Sequence, residues 1–279
     1  MTIGQFLNDS PLSKSESREI LCNVLKCDSS FLVLNTDMAI QENDIIRIQE
    51  ICTKRNTGMP LAYVLENRAF YHCNFYTPQG VLIPQPDTEI LVEKAVEYAA
   101  SLKDKDSLNI LDLCAGTGCI GISVAKELSG QFKDVNLTLS DISEKAFEVF
   151  SENCSDLIVE KNIHVKKVLG NLFENINDKF DLILSNPPYI KTSVIPELET
   201  EVQYEPVLAL DGGRSGTELI EKIVSSCKAH ALENCAVFME IGYDQGQEVK
   251  SLFEHNSLVD VEIIKDLGHR DRVVKGLFK

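Results

Sequence analysis

The sequence predicts an α/β protein, a doubly wound and mostly parallel sheet preceded by a small helical N-terminal domain. Three observations carry this. From about residue 84 onward, apolar runs of strand length alternate with stretches of helical spacing. One such run, 108–113, passes directly into a glycine turn, Gly116-Thr117-Gly118, with a helical pattern behind it. Residues 1 to about 75, by contrast, show helical spacing.

In that first segment Ile20, Leu21, Val24 and Leu25 recur at helical intervals, as do Ile45, Ile48, Ile51 and Cys52. Ser15-Glu16 and Asn43-Asp44 are plausible helix starts. The stretch 70–83 mixes aromatics with Pro78-Gln79-Gly80, a turn between short strand-like runs, and reads as a small hairpin linker. The expected division is therefore a helical unit over 1–75, a linker over 76–83 and a sheet domain over 84–279. Within the sheet domain, strands are expected at 108–113, 135–140, 163–168, 180–185, 236–241, 259–264 and 272–278. Ile120, Ile122, Val124, Ala125 and Leu128 mark the helix after the first of them. No internal repeat or low-complexity tract is present.

The run Phe180-Asp181-Leu182-Ile183-Leu184-Ser185 ends in Asn186-Pro187-Pro188-Tyr189. Two prolines cannot continue a sheet ladder, so the strand stops there. Asn186, as the residue before proline, is held extended at the strand's carboxyl end, where open α/β sheets bind ligands. Its carboxamide can both accept from and donate to another planar N–H group. A strand-ending turn is the plainer alternative for an isolated N-P-P-Y.

The glycine turn adds a ligand. Gly116 and Gly118 let backbone approach a bound molecule, and Gly116, Gly118 and Gly121 satisfy the dinucleotide spacing G-x-G-x-x-G. Asp141, ending the next strand, can take the two ribose hydroxyls of an adenosine. These residues imply an adenosine-containing ligand, either NAD or S-adenosylmethionine. Asp112 lies just before the turn, a poor neighbour for a pyrophosphate and a better one for the ammonium and sulfonium charges of S-adenosylmethionine. Its other reading is a carboxylate capping nearby backbone N–H groups. Together with Asn186-Pro187-Pro188-Tyr189, the methyl-donor reading is the stronger.

Composition sets bounds. The chain has 279 residues, 44% of them hydrophobic and 25% charged, as in an ordinary soluble globular protein of one large or two unequal domains. No apolar run approaches the ~20 residues a membrane span needs. The polar segment 1–17 lacks the features of a secretory signal. Nine cysteines without C-x-x-C pairs point to reduced thiols in a cytoplasm, with Cys22, Cys27 and Cys52 as small core residues. His72, His164, His230, His255 and His269 form no ligand-spaced cluster, so no metal is expected. The net charge of −16 disfavours a nucleic-acid substrate, which needs a basic face; Lys26, Lys54, Arg55, Arg68, Lys166, Lys167, Arg270 and Arg272 are dispersed.

Asp112-Leu113-Cys114-Ala115-Gly116-Thr117-Gly118, Asp141 and Asn186-Pro187-Pro188-Tyr189-Ile190 together resemble class I methyltransferases that modify planar nitrogens. Val81-Leu82-Ile83-Pro84-Gln85-Pro86-Asp87-Thr88-Glu89, then Leu91-Val92-Glu93, resembles the signature of one branch, the HemK/PrmC family of peptide chain release factor glutamine N5-methyltransferases. Gly58-Met59-Pro60-Leu61-Ala62-Tyr63, Phe70-Tyr71, Tyr204-Glu205-Pro206, Ala209-Leu210 and Arg272-Val273 agree, so the resemblance spans nearly the whole chain. It departs at Gln85, where the family usually has arginine, at Glu66 and Cys114, where glycine is usual, and at Asn171 and Leu172, where aspartate and an aromatic are frequent.

The resemblance implies a class I methyltransferase fold, S-adenosyl-L-methionine as cofactor and a release factor as protein partner, without direct nucleic-acid or membrane binding. A partner with a basic surface suits the acidic chain. It also implies residue roles. The cofactor would lie against Asp112, Cys114, Ala115, Gly116, Thr117, Gly118, Asp141, Leu172 and Asn186. The target glutamine, in a Gly-Gly-Gln tripeptide, would meet Asn186, Pro187, Pro188 and Tyr189. Asn186 Oδ1 and the Pro187 carbonyl would accept the amide hydrogens while Tyr189 packs on the flat amide. The long connection 191–214, with Glu197, Glu199, Glu201 and Glu205, is either a substrate loop or a solvated charged loop. The alternatives are an N6-adenine methyltransferase acting on nucleic acid and a noncatalytic module that kept the fold.

Overall fold

The computed structural model describes residues 1–102 and 104–279. Helices α1 (Ile3–Asp9), α2 (Lys14–Leu25), α3 (Ser29–Leu34), α4 (Glu42–Asn56) and α5 (Leu61–Leu65) form the N-terminal unit. Their apolar stripes converge on a core of Ile3, Phe6, Ile20, Leu21, Leu32 and Ile48. Leu25, Ile45, Cys22, Cys27 and Cys52 pack half-buried around it. Two helix starts lie slightly upstream of their expected places. Ser13 caps α2 in a reciprocal pair, its Oγ accepting from Glu16 N at 3.2 Å while Glu16 Oε2 accepts from Ser13 N at 3.1 Å. Gln41 precedes α4. Glu66 ends α5 in the left-handed region at φ +51°, a conformation in which glycine is free of the Cβ penalty.

Strands β1 (Asn67–Phe70) and β2 (Cys73–Tyr76) follow as an antiparallel hairpin. This corrects the expected placement of the hairpin around Pro78-Gln79-Gly80. The turn is at Tyr71-His72, with Phe70 opposite Cys73. Tyr71 at φ +52° makes the tight reversal, which no glycine or proline announces in the sequence. Phe70 and Phe75 stack edge to face at 6.1 Å and are buried in the core of the sheet domain. Burial of a phenylalanine contributes about 1.5–3 kcal/mol, so the hairpin is held to the sheet domain more than to the helices before it.

The remainder runs α6 (Glu89–Ala99), β3 (Ser107–Leu113), α7 (Cys119–Leu128), β4 (Asp134–Asp141), α8 (Glu144–Leu157), β5 (Ile163–Leu169), β6 (Phe180–Ser185), α9 (Val207–Leu210), α10 (Glu218–Cys227), β7 (Ala231–Glu240), α11 (Gly246–His255), β8 (Val259–Lys265) and β9 (Asp271–Leu277). Among the described residues these strands form a seven-stranded sheet in the order β5-β4-β3-β6-β7-β9-β8. The pairings from β5 to β7 are parallel, and β9 lies antiparallel between β7 and β8.

Alternation along the strands explains the two layers of helices. Ile110, Leu182 and Leu184 point to one face, against Leu91, Ala95, Ile122 and Phe150 of α6, α7 and α8. Leu111, Ile183 and Val237 point to the other, against Ile220, Ile223 and Val249 of α10 and α11. The strand order reverses between β3 and β6, which opens a crevice above their carboxyl ends. In the register, Leu113 is opposite both Ser140 and Ser185, so β3, β4 and β6 end at one level beneath that crevice.

Candidate active site

A cleft of about 330 Å³ occupies this crevice. Its floor is the turn after β3, with Cys114, Ala115, Gly116, Thr117 and the start of α7. Asp141 from β4 and Asn171-Leu172 after β5 form one side, and Asn186 and Pro188 after β6 form another. Val81 to Gln85 and Thr88 lead in from the hairpin, and the connection after β6 contributes Pro206, Leu208, Ala209 and Asp211–Gly213. Elements far apart in sequence therefore meet at one place, as the sheet's reversal point requires.

The floor is shaped by its backbone. Gly116 and Gly118 have φ of +56° and +79°, and Cys114 shares the left-handed region at +58°. That accounts for the family preference for glycine at position 114. Gly121 acts sterically instead. A Cβ there would lie 2.9 Å from the Asp112 carboxylate and from Leu139, so its absence lets α7 sit close on β3 and β4. The Asp141 carboxylate accepts from Gly116 N and Ser143 N, both at 2.9 Å, and thereby braces the turn while lining the cleft. Leu172 lies on the wall at φ +53°.

Asp112 is placed differently from its expected position. It is 1% exposed and does not line the cleft. Its Oδ2 accepts from Gly121 N at 2.8 Å, which is the backbone-capping role, and its Oδ1 is buried with no partner among the described residues. Burial pushes this carboxyl up to about 7, and the nearby Asp141 charge adds to the effect. A cation above the turn would be favoured by such a group, whereas a pyrophosphate would meet two carboxylates. The donor set thus fits a phosphate-free, cationic adenosine ligand better than a dinucleotide.

Asn186 is half-buried on the cleft wall, and its Nδ2 donates to Thr88 Oγ1 at 3.4 Å. Pro187 is buried and does not line the cleft, and Tyr189 is turned away from it. The Tyr189 hydroxyl donates to Glu240 Oε1 at 3.2 Å, and its carbonyl accepts from Gln245 Nε2 at 3.0 Å. The hydroxyl end of half-buried Tyr189 is thus anchored at the end of β7, while Pro188 lines the cleft beside Asn186.

The connection 191–214 is neither wholly loop nor wholly solvated. Glu197 and Glu199 are exposed, Glu201 pairs with Arg55 of α4 at 2.5 Å, and Tyr204 Oη donates to Thr57 O at 3.1 Å. Glu205 is 7% exposed and accepts from Ile83 N at 3.0 Å. Burial pushes its carboxyl up to about 7, against the opposing hydrogen bond from Ile83. The connection thus ties the N-terminal helices to the cleft wall.

Two residues behind the site carry no motif signal: Glu240, which bonds Tyr189, and Asn153 of α8. The Asn153 side chain is 1% exposed, accepts from Tyr76 N at 2.8 Å and donates to Tyr76 O at 3.1 Å and Thr117 O at 2.9 Å. It joins the hairpin to the glycine turn. Asn153→Ala strands three backbone groups, one buried at Thr117 and two half-buried at Tyr76, and is expected to lower the unfolding free energy by on the order of 1–3 kcal/mol. Urea denaturation measures this as a lower midpoint at unchanged slope.

Comparison with known proteins decides the family. Residues 2–65 match the PrmC N-terminal domain family, and residues 88–202 match the methyltransferase small domain family. A release factor glutamine methyltransferase of Clostridium acetobutylicum is 37% identical, over 93% of this chain and 89% of the relative. The chain belongs to the release factor glutamine methyltransferase family. Proteins of the same name from Clostridium botulinum and Thermodesulfovibrio yellowstonii are 36% and 32% identical, each over 98% of this chain and over 93% and 95% of the relative. As a member of this family the chain is a methyltransferase. Solved structures carry the same fold at low identity. The hMettl16 catalytic domain in complex with a MAT2A 3′UTR hairpin matches at TM-score 0.55 and 14% identity, over 86% of this chain and 82% of that one. The T. thermophilus 16S rRNA N2 G1207 methyltransferase, in complex with AdoMet and guanosine, matches at 0.52 and 14%, over 76% and 50%. Among the described residues no helix is long and apolar enough to cross a membrane.

Proposed function

We propose that the chain methylates the side-chain amide nitrogen of the glutamine in the Gly-Gly-Gln motif of peptide chain release factors, using S-adenosyl-L-methionine. The observation that carries the reading is Asn186: a carboxamide on a proline-stiffened backbone at the cleft wall, with its nitrogen engaged by Thr88. Cys114 to Gly118, Asp141, Leu172 and Asn186 would hold the cofactor, and Asp112 would favour its positive charge from beneath the turn. When bound, the cofactor supplies a methyl group activated by a sulfonium centre.

An amide nitrogen is a poor nucleophile because its lone pair is delocalised into the carbonyl. Asn186 Oδ1 accepts one amide hydrogen, which draws electron density toward nitrogen and fixes the direction of its lone pair. The Pro187 ring is buried away from the cleft, and it is its backbone carbonyl, beside Asn186, that would take the second hydrogen. Pro188 covers the flat face of the amide, and Tyr189 supports that turn from behind. Positioning of this kind supplies up to roughly 7–11 kcal/mol of barrier reduction in favourable intramolecular cases. The amide proton leaves to solvent, and no dedicated base is assigned. The N-terminal helices, expected over 1–75 and ending at Leu65, are read as the substrate-recognition domain; the hairpin 67–76 packs with the transferase part that follows.

Methyl transfer from labelled S-adenosylmethionine to a purified release factor, beside a DNA control, tests the reading. Label is expected in the factor, and is expected to vanish when the Gly-Gly-Gln glutamine is replaced by alanine. Label on DNA alone would instead establish an adenine methyltransferase.

A further inference from the structure

Residues 81–85 line the cleft but belong to no strand. Pro84 and Pro86 keep this strip out of a sheet ladder, so its backbone groups need partners elsewhere. Side chains supply them. The Tyr63 hydroxyl of α5 donates to Val81 O at 2.5 Å, and Glu205 Oε2 accepts from Ile83 N at 3.0 Å. Arg68 Nε of β1 donates to Pro84 O at 3.2 Å. Tyr63 and Glu205 are buried, and neither lines the cleft itself.

These two side chains reach the strip from different parts of the chain. Tyr63 belongs to the N-terminal helices, and Glu205 to the connection after β6. Ile83 is buried with Ala62 and Tyr63 in a small cluster of its own, with Met59 and Tyr204 packed beside it. Apolar burial is non-directional, so the hydrogen bonds set where the strip lies. Glu205 also joins two walls of the cleft. Its carboxyl holds Ile83, while its backbone runs directly into Pro206, which lines the cleft with Leu208 and Ala209. Beyond Gln85 the strip turns into Thr88, whose Oγ1 accepts from Asn186 Nδ2 at 3.4 Å. A shift of the strip is therefore passed to the carboxamide.

We propose that Tyr63 and Glu205 are positioning residues for methyl transfer, holding the 81–85 strip where the substrate amide can meet Asn186. This rests on the function proposed above. A misplacement of about 1 Å costs on the order of 10²-fold in rate, so a smaller shift of this wall is still felt. The bond to Ile83 N needs an oxygen and no charge. Glu205→Gln therefore keeps it, whereas Glu205→Ala leaves a buried N–H unpaired. Tyr63→Phe keeps the ring in its cluster and removes only the bond to Val81 O.

Single-turnover transfer to a saturating release factor is measured for the wild type, Tyr63→Phe, Glu205→Ala and Glu205→Gln. Rates are expressed per cofactor-binding site, counted by calorimetry, so that unfolded protein does not contribute. Hydrogen exchange of residues 81–85 is followed on the same proteins by mass spectrometry. Glu205→Ala is expected to lose about tenfold in rate and Tyr63→Phe about threefold, with faster exchange over 81–85 in both. Glu205→Gln returns to within about twofold of the wild-type rate, with wild-type exchange. An unchanged rate per site in either Glu205→Ala or Tyr63→Phe would overturn the proposal. Equal losses in Glu205→Ala and Glu205→Gln would overturn it as well. If Glu205→Ala binds no cofactor, Tyr63→Phe decides by the same two readouts. If the wild type does not label the factor, the proposed function fails, while exchange over 81–85 still decides whether these two side chains hold the wall.

Discussion

Asn186→Ala is expected to slow methyl transfer by about 10²–10³-fold, the usual cost of removing one hydrogen-bonding group that acts on the reacting centre. The side chain is half-buried and its one internal bond, to Thr88, is long at 3.4 Å. Its removal should therefore change unfolding free energy by less than about 1 kcal/mol. Cofactor affinity should fall much less than the transfer rate, because Asn186 is one of several residues that would hold the cofactor and the floor of the cleft is braced by Asp141 and Asn153. Single-turnover transfer and equilibrium cofactor binding separate these effects. Equal losses in both would mean that Asn186 serves the cofactor more than the substrate.

Gly212→Ala should damage both stability and activity. Gly212 N donates to Ile190 O at 2.8 Å, so the end of the 191–214 connection runs against the chain just after Tyr189. A Cβ at 212 would lie 2.5 Å from Gly216 O, 2.8 Å from Pro188 O and 2.8 Å from Tyr189 Cα. All three are backbone atoms, so no flexible side chain can yield. The cost expected from overpacking is about 1–3 kcal/mol, and relief must come by displacing the Pro188-Tyr189 backbone. Denaturation and turnover measured on the same variant should fall together. A stable variant with full activity would show that this contact does not hold the Asn186 turn in place.

The centre of the sheet was legible because β3 and β6 are bounded apolar runs. The expected limits 180–185 coincide with β6, those of β3 and β5 differ by a residue at one end, and those of β4 by a residue at each end. The ends of β3 and β6 were legible because glycine and proline punctuate them. The hairpin was not, since Tyr71 turns it without either residue. Glu66 and Cys114 stood out against a glycine pattern, and both occupy the left-handed region that pattern implies. Asp112 was read as either a cofactor neighbour or a cap; the distance to Gly121 N shows the cap, which sequence could not distinguish. The anchoring of Tyr189 was not legible because a motif gives spacing but no direction, and the carboxyl that attracts its hydroxyl lies 51 residues away. Asn153 and Glu240 were invisible for the same reason. Each is a single polar residue whose partners are supplied only by the fold.

Locating the methyl group by fragmentation mass spectrometry of a release factor modified by the wild-type chain tests the central claim most directly. The account predicts one methyl on the side-chain amide nitrogen of the Gly-Gly-Gln glutamine, formed about 10²–10³-fold more slowly when Asn186 is alanine. A methyl on any other residue, or one still placed on that glutamine at the wild-type rate by Asn186→Ala, would contradict it.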